Sequence, residues 1–233
     1  MKTRYYIFIL FYSIIVTQCF SQTSEKLLLH KLDSITNSPC AASYFASLYL
    51  GTSINAATFF SKYQEPVRHS IQRFEHSFAN YFFASVQACS QEKEIPKEWK
   101  DYFIQPSLSP LQYQLLGINA HINGDIWKAL TTTFTLPELL EIKNYYHNYN
   151  ESLKEFYYEF YGKAYACSSR IRLLHLVSFG LDKEYGRMML YRWRKRQMHL
   201  AILYFNDPPG FEKQHKKLEK KMQRLNYMIL HRL

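Results

Sequence analysis

The stretch of sequence that decides the fold covers residues 109–127 and reads SPLQYQLLGINAHINGDIW. Ser109 is followed by Pro110, and Gln112 lies three residues after the serine, which together form a helix-start signature. Apolar residues then recur at the spacing of a helix that buries one side. They are Leu111, Leu115, Ile118, Ile122 and Ile126. The sequence therefore predicts an interior helix.

Polar side chains flank the apolar stripe of this helix on both sides. With successive residues turned by about 100°, His121 and Asp125 share one flank and lie one turn apart. Asn119 and Asn123 are also one turn apart, but they point to nearly the opposite side. A surface helix keeps its polar residues on the face away from the core, so this pattern indicates where a functional site is to be sought.

Two glycines share the flank of His121. A glycine inside a helix costs about 1 kcal/mol relative to alanine, so Gly117 and Gly124 each need a local reason. We expect close approach of another helix, a ligand or water beside His121 and Asp125. In the alternative interpretation, those two side chains only satisfy each other and nearby backbone inside a tight helix crossing.

A histidine and an aspartate one helical turn apart can both bind one divalent ion, such as zinc. Two side chains do not complete a metal site, so further ligands must come from other helices. Glu75 is the first choice because it lies beside the apolar stripe of a predicted helix, where a carboxylate needs a reason. The hypothesis is therefore a metal site formed by His121, Asp125 and Glu75. The other available ligands are His76, His147, His175 and His199.

Histidine and aspartate are also the pair used as a base and its orienting group in catalysis, and His121 and Asp125 are the catalytic candidates. Hydrolysis is the reaction class that such a pair or a metal site would serve. The sequence marks no serine or cysteine as a nucleophile, and it contains neither H-E-x-x-H nor G-x-S-x-G. Glycine-rich phosphate-binding loops are absent as well.

Asn119 and Asn123 need hydrogen-bond partners if they are buried, because each unsatisfied polar group costs about 1–3 kcal/mol. They could bind the backbone of a neighbouring helix and fix its register. Alternatively, they could join Arg194 in a second pocket for a small polar ligand. Because the two asparagines face away from His121, we do not expect all of these residues to meet one ligand.

The chain as a whole predicts an all-α, single-domain bundle of about seven to nine helices. It has 233 residues, of which 47% are hydrophobic and 17% aromatic, and it shows no long alternating run typical of β-strands. Thr135, Pro137 and Glu138 form a second helix-start signature. The predicted helices cover residues 24–35, 40–61 with an interruption near Gly51, 66–90, 109–127, 136–162, 168–179, 183–205 and 211–232.

Residues 1–21 have the pattern of a cleaved export signal, with a basic start, an apolar run over residues 5–16 and small residues before Gln22. A lipid anchor at Cys19 is the alternative. We therefore expect an exported protein, periplasmic or extracellular. Three cysteines then remain, which allow one disulfide and one free thiol, or three unpaired thiols. They are Cys40, Cys89 and Cys167.

The basic charge is concentrated at the end of the chain. Residues 183–233 hold 13 Lys and Arg against four Asp and Glu, a net +9 of the total +10. For an exported protein this favours an anionic membrane or cell-wall surface over nucleic acid as the partner of residues 211–232; a solvated helix face is the alternative. The predicted organisation is a signal at 1–21, a helical domain at 22–205 and a basic helix at 206–233 packed on the same domain.

Three motifs resemble those of an uncharacterised bacterial family, a domain of unknown function. They are N-A-H-I-N-G-D at residues 119–125, R-F-E-H-S-F at 73–78 and R-x-x-x-M-x-x-A at 194–201. That family is built around an N-A-H-I-N-x-D-[LI] helix and usually carries Trp where this chain has Met198. The resemblance covers roughly residues 40–205 and implies an all-helical fold, without a known activity. The polar set that it implies is Asn119, His121, Asn123, Asp125, Glu75 and Arg194.

Taken together, these patterns favour an exported helical protein with a buried polar centre at His121, Asp125 and Glu75. That centre is expected to bind a metal ion or a small polar ligand, with hydrolysis as the candidate reaction. The alternative is a non-enzymatic envelope protein in which the polar helix is structural and the basic tail docks on anionic surfaces.

Overall fold

The computed structural model describes residues 25–233, and the predicted export signal at residues 1–21 lies outside this range. The described residues form helices joined by short turns, and none of them lies in a strand, so the prediction of an all-α fold is confirmed. The helices are α1 (25–36), α2 (Ala42–Phe60), α3 (Val67–Ser90), α4 (Lys100–Ile104), α5 (Pro110–Ile118), α6 (Ile126–Thr133), α7 (Leu136–Cys167), α8 (Ser169–Val177), α9 (Leu181–Asn206) and α10 (Pro208–Arg232). A 3₁₀ turn, Lys97–Trp99, precedes α4.

The predicted interior helix is the centre of the bundle. It begins with the expected capping box, in which Ser109 Oγ accepts the Gln112 N–H and the Gln112 side chain accepts the Ser109 N–H. It continues without a break from α5 through a π-helical segment, Asn119–Asp125, into α6. Helix α5 packs on α2, α6 packs on α3 and α9, and the π segment contacts α3, α9 and α10.

The core around this central helix is built largely from aromatic rings. Full burial of one such side chain contributes about 1.5–3 kcal/mol, and many of the rings also contact one another edge to face, a favoured geometry for aromatic pairs. The buried rings nearest the centre are Phe45, Tyr49, Phe74, Phe78, Phe82, Trp99 and Tyr146.

Helix α2 differs from the prediction, because it runs through Gly51 without an interruption. A Cβ atom at Gly51 would lie 2.9 Å from Cε2 of Phe156 in α7. The glycine therefore serves close packing of two helices and does not end one. Its position in the sequence could not distinguish these two uses.

The basic helix α10 packs on the central helix and on α9. Its buried side chains are Phe211, Leu218, Met222, Asn226 and Ile229. No helix within residues 25–233 combines the length and the hydropathy needed to cross a membrane. Within the same range Cys40, Cys89 and Cys167 are free thiols.

Candidate functional site

The motif at residues 119–125 forms a π-helix, in which hydrogen bonds span five residues instead of four. Short π-helical segments are rare and occur frequently at functional sites. The sequence pattern predicted an ordinary α-helix here. In the π segment both polar flanks are buried together, while Ile122 of the predicted apolar stripe is only half-buried.

His121 and Asp125 form a hydrogen-bonded pair that is closed off from solvent. His121 Nδ1 lies 3.0 Å from Asp125 Oδ2, and the indole Nε1–H of Trp99 donates to the same oxygen at 2.9 Å. His121 is 2% exposed and Asp125 is 1% exposed. Burial lowers the pKa of His121 well below its usual value and raises the pKa of Asp125 well above its own, because charged forms would lose their hydration.

The imidazole of His121 is surrounded by aromatic rings. The Phe78 ring stacks on it with centroids 3.6 Å apart, and the Tyr49 ring meets it edge to face at 4.5 Å. Its Nε2 atom is buried and has no hydrogen-bond partner among the described residues. A ligand from solvent therefore has no direct path to this ring in the conformation described.

Asn119 and Asn123 belong to a separate network on the other side of the π segment. Asn119 Nδ2 donates to the Met222 carbonyl at 3.0 Å and to Asn226 Oδ1 at 2.6 Å, both on α10. Asn123 Nδ2 donates to Asn119 Oδ1 at 2.9 Å. Of the two uses considered from the sequence, binding to the backbone of a neighbouring helix matches these contacts.

Arg194 lies in the interior but bonds to neither asparagine of the motif. Its Nε donates to Asn150 Oδ1 at 2.6 Å, and its guanidinium lies over the Tyr146 and Tyr149 rings. Gln197, one turn further along α9, reaches Asn123 Oδ1 at 3.4 Å. Helix α9 therefore contacts the motif through Gln197 and holds Arg194 against α7.

The geometry of the described residues does not support the predicted metal site. Within residues 25–233 no three His, Cys, Asp or Glu side chains are grouped so that they could hold a metal ion. His121, Asp125 and Glu75 thus do not form the three-ligand set predicted from the sequence. His121 Nδ1 faces Asp125, and its Nε2 is buried without a hydrogen-bond partner among the described residues.

Close approach at the two glycines is confirmed. A Cβ atom at Gly117 would lie 2.4 Å from Cδ2 of Phe45, and one at Gly124 would lie 2.5 Å from Cγ of Glu98. Protein side chains occupy both spaces, and Glu98 is fixed there by an ion pair with Lys128 at 2.6 Å. The glycines allow α2 and the 3₁₀ turn to pack against the central helix.

Glu75 lies in a pocket of about 180 Å³ that opens between α1, α2 and α3. Within residues 25–233 its carboxyl group makes no hydrogen bond or ion pair. Burial raises its pKa to about 7, the Arg194 charge lowers the pKa, and the Glu25 charge raises it further. The other polar residue that reaches the pocket without a hydrogen-bond partner among described residues is Ser53, which is 5% exposed.

The pKa of Tyr49 is affected by the carboxyl groups of both Glu75 and Asp125. This tyrosine lies one turn before Ser53 on α2, and its hydroxyl group has no partner among the described residues. Burial raises its pKa well above 10, and the Glu75 and Asp125 charges raise it further. The charges of both carboxyl groups therefore affect the pKa of Tyr49, although its hydroxyl group forms a hydrogen bond with neither.

Several residues of this region were missed from the sequence. Trp99 could have been identified, since a buried indole N–H needs an acceptor. Asn226 could also have been identified, because it is an amide inside the apolar stripe of α10. Tyr49 and Ser53 could not, because nothing in the local sequence distinguishes them from other residues of an apolar helix.

Comparison with known proteins places the chain in a family. A family model, DUF5995, described as a family of unknown function, matches residues 28–232, and the chain belongs to that family. The match includes α10, so the narrower range of residues 40–205 inferred from the motifs was wrong. No curated protein and no solved structure matches the chain.

Proposed function

We propose that the protein binds a small molecule carrying a protonated amine in the pocket between α1, α2 and α3, with Glu75 as the anchoring carboxylate. The observation that carries this proposal is the Glu75 carboxyl group itself. It lies in a pocket, lacks a hydrogen-bond partner among the described residues, and has a pKa of about 7. A buried carboxyl group without a partner is costly unless something pairs with it.

The charge of the pocket favours a cation. Glu25 and Glu75 both line it. Arg68 lies at the same pocket but is engaged by Glu65 at 2.9 Å. An ammonium group would stabilise the ionised form of Glu75 and donate to its oxygens, and Ser53 Oγ is available as a further acceptor.

The size and lining of the pocket favour a compact ligand with an apolar part. Its volume of about 180 Å³ exceeds that of a cavity of about 150 Å³ that holds benzene. Much of the wall is hydrocarbon, which suits an alkyl or ring substituent on the amine. The apolar side chains of the wall are Leu28, Leu29, Ala56, Ala57, Phe60 and Ile71.

Binding, without hydrolysis, is the function that these residues support. A serine nucleophile needs a base within hydrogen-bond reach, and Ser53 Oγ has no hydrogen-bond partner among the described residues. His121 is separated from solvent by aromatic rings. We therefore assign His121 and Asp125 a structural role in the core, and Glu75 is the group that a ligand in the pocket would contact.

The test uses n-butylammonium as the probe and 1-butanol as its uncharged analogue, at matched ionic strength. We expect the ammonium, and not the alcohol, to raise the thermal unfolding midpoint of the protein and to give heat on titration. Glu75→Gln should abolish both effects. The control is Glu141→Gln, an exposed carboxylate on α7, which should leave them unchanged. Equal stabilisation of wild type and Glu75→Gln would reject the proposal.

A second candidate function is docking of α10 on an anionic polysaccharide of a cell wall. Its support is a face of exposed cations opposite the buried side of α10, none of which forms an ion pair within residues 25–233. They are Lys213, Lys216, Lys217, Lys220, Lys221 and Arg224. Such a face binds through charge alone and is sensitive to salt.

Dextran sulfate serves as the probe for this second candidate. The variant Lys217→Gln/Lys221→Gln/Arg224→Gln should bind it about tenfold more weakly, a loss of about 1.4 kcal/mol. A control with the same change of net charge replaces Lys93, Lys143 and Lys154, which are exposed elsewhere. If both triple variants lose the same affinity, binding reflects net charge only and the candidate is rejected.

A further inference from the structure

Helix α8 and the turn that follows it expose an unusual amount of apolar surface. No residue of α8 is buried. The exposed apolar side chains, which we call the apolar tip, are Leu173 (61%), Leu176 (73%), Val177 (63%), Phe179 (93%) and Leu181 (70%). Several exposed apolar side chains close together in sequence are typical of an interaction site.

A polar cluster lies beneath the C-terminal end of α8 and includes His175 of that helix. Asp182 Oδ1 accepts the Ser178 hydroxyl at 2.8 Å and faces His175 Nδ1 at 3.1 Å, while the Tyr161 hydroxyl donates to Asp182 Oδ2. These bonds join α7, α8 and α9 beneath the tip. The apolar side chains are therefore held outward by a satisfied polar cluster.

The backbone of the turn also favours exposure of an aromatic ring. Phe179 has a φ of 53° and Gly180 has a φ of 82°. Glycine adopts such angles freely, but for a bulky residue the left-handed conformation costs about 1–2 kcal/mol. The turn bears this strain at Phe179 while leaving the ring almost wholly in solvent, where it gains nothing from the fold.

Basic side chains border the apolar tip. Arg170, one turn before Leu173 on α8, is exposed and forms no ion pair within residues 25–233. Lys183 lies over the Tyr158 ring at 4.3 Å and has no acidic partner there. The acidic residues of the turn are engaged, since Asp182 belongs to the polar cluster and Glu184 pairs with Arg187 at 3.0 Å.

We propose that the apolar tip docks on a lipid bilayer that contains anionic lipids. The exposed Leu, Val and Phe side chains enter the boundary between headgroups and acyl chains, and Arg170 and Lys183 contact lipid phosphates. Charge complementarity selects this partner over a second copy of the chain. Two tips facing each other would bring the same unpaired cations together, whereas an anionic bilayer satisfies both the cations and the apolar side chains. This inference does not depend on the Glu75 pocket.

The test measures sedimentation of the protein with phosphatidylcholine vesicles, with and without phosphatidylglycerol, at physiological ionic strength. Leu176→Gln/Phe179→Asn removes two apolar groups, and asparagine tolerates the φ of residue 179. We expect this variant to partition onto the anionic vesicles about tenfold less than wild type, about 1.4 kcal/mol. Because both residues are exposed and asparagine adopts the left-handed conformation more easily than phenylalanine, the unfolding midpoint should be equal to that of wild type or higher, so that weaker binding does not reflect unfolding.

The matched control is Tyr227→Gln/Met228→Gln, which removes two exposed apolar groups from α10 and should leave vesicle binding unchanged. Arg170→Gln/Lys183→Gln should weaken binding only to vesicles that contain phosphatidylglycerol. Equal partitioning of wild type and the tip variant would overturn the proposal. The proposal would also be overturned if wild type is a dimer that does not bind vesicles and if the tip substitutions convert this dimer to a monomer.

Discussion

Asn119 of the π segment donates its side-chain amide to Asn226 of α10 at 2.6 Å, and both residues are buried. Asn226 in turn donates to Asp101 at 2.7 Å. The basic helix is therefore bonded to the centre of the bundle and to the segment before α5. Its removal would expose the core, so the role of its surface has to be tested with substitutions and not by truncation.

Replacing Asn226 should destabilise the protein by about 1–3 kcal/mol, because Asn226→Ala removes one of the two acceptors of the buried Asn119 amide and the donor to the half-buried Asp101 carboxylate. Urea unfolding measures this change. Gln223→Ala, at an exposed position of the same helix, is the control and should change the free energy of unfolding by less than about 0.5 kcal/mol. Equal effects of the two substitutions would mean that the asparagine bond adds no stability.

Gly117→Ala should destabilise the protein by about 1–3 kcal/mol. The added methyl group would lie 2.4–2.8 Å from three atoms of Phe45, whose ring is buried against Phe82 and Trp99. Gly162→Ala in α7 is the matched control, since nothing lies within 4 Å of the position that its added methyl group would take. This control should stabilise the helix by up to about 1 kcal/mol. Thermal unfolding of both variants decides the matter, and a neutral Gly117→Ala would contradict the packing described.

Glu75→Gln should stabilise the protein increasingly as the pH rises. The folded-state pKa of Glu75 is about 7, above the ordinary value of 4.5, so the folded state retains a proton that the unfolded state loses. The contribution of Glu75 to the stability of wild type is then most favourable below about pH 4.5 and is lost as the pH rises through 7. Relative to wild type, Glu75→Gln should gain up to about 3 kcal/mol at pH 8 and little at pH 4.5. Glu141→Gln should show no such pH dependence; if Glu75→Gln behaves in the same way, the carboxyl group is not desolvated.

The parts of the fold that local chemistry dictates were predictable. The capping boxes at Ser109 and Thr135 set the starts of α5 and α7, because each is completed by a side chain three residues away. Gly51 was misread as a break, since only the approach of Phe156 explains it. The π segment was not predicted either, because its burial depends on helices distant in sequence.

The position of the candidate site could be predicted from the sequence, but the hydrogen-bond partners of its residues could not. The polar residues of 119–125 are all buried, as expected for a polar centre, but they divide into two networks that face different helices. Glu75 was singled out as a carboxylate beside an apolar stripe, and it lines a pocket with Ser53. Nothing in the sequence paired Glu75 with Ser53, because that contact depends on how α2 and α3 pack.

We propose that Glu75 is a desolvated carboxyl group that pairs with a cationic ligand. Carbon-13 NMR titration of its side-chain carboxyl measures this property itself. Glu75→Gln identifies the signal. We predict a pKa of about 7 in the free protein and a lower pKa in the presence of n-butylammonium, because the cation stabilises the ionised form. A pKa near 4.5 in the free protein, or a pKa that the ammonium leaves unchanged, would contradict the account.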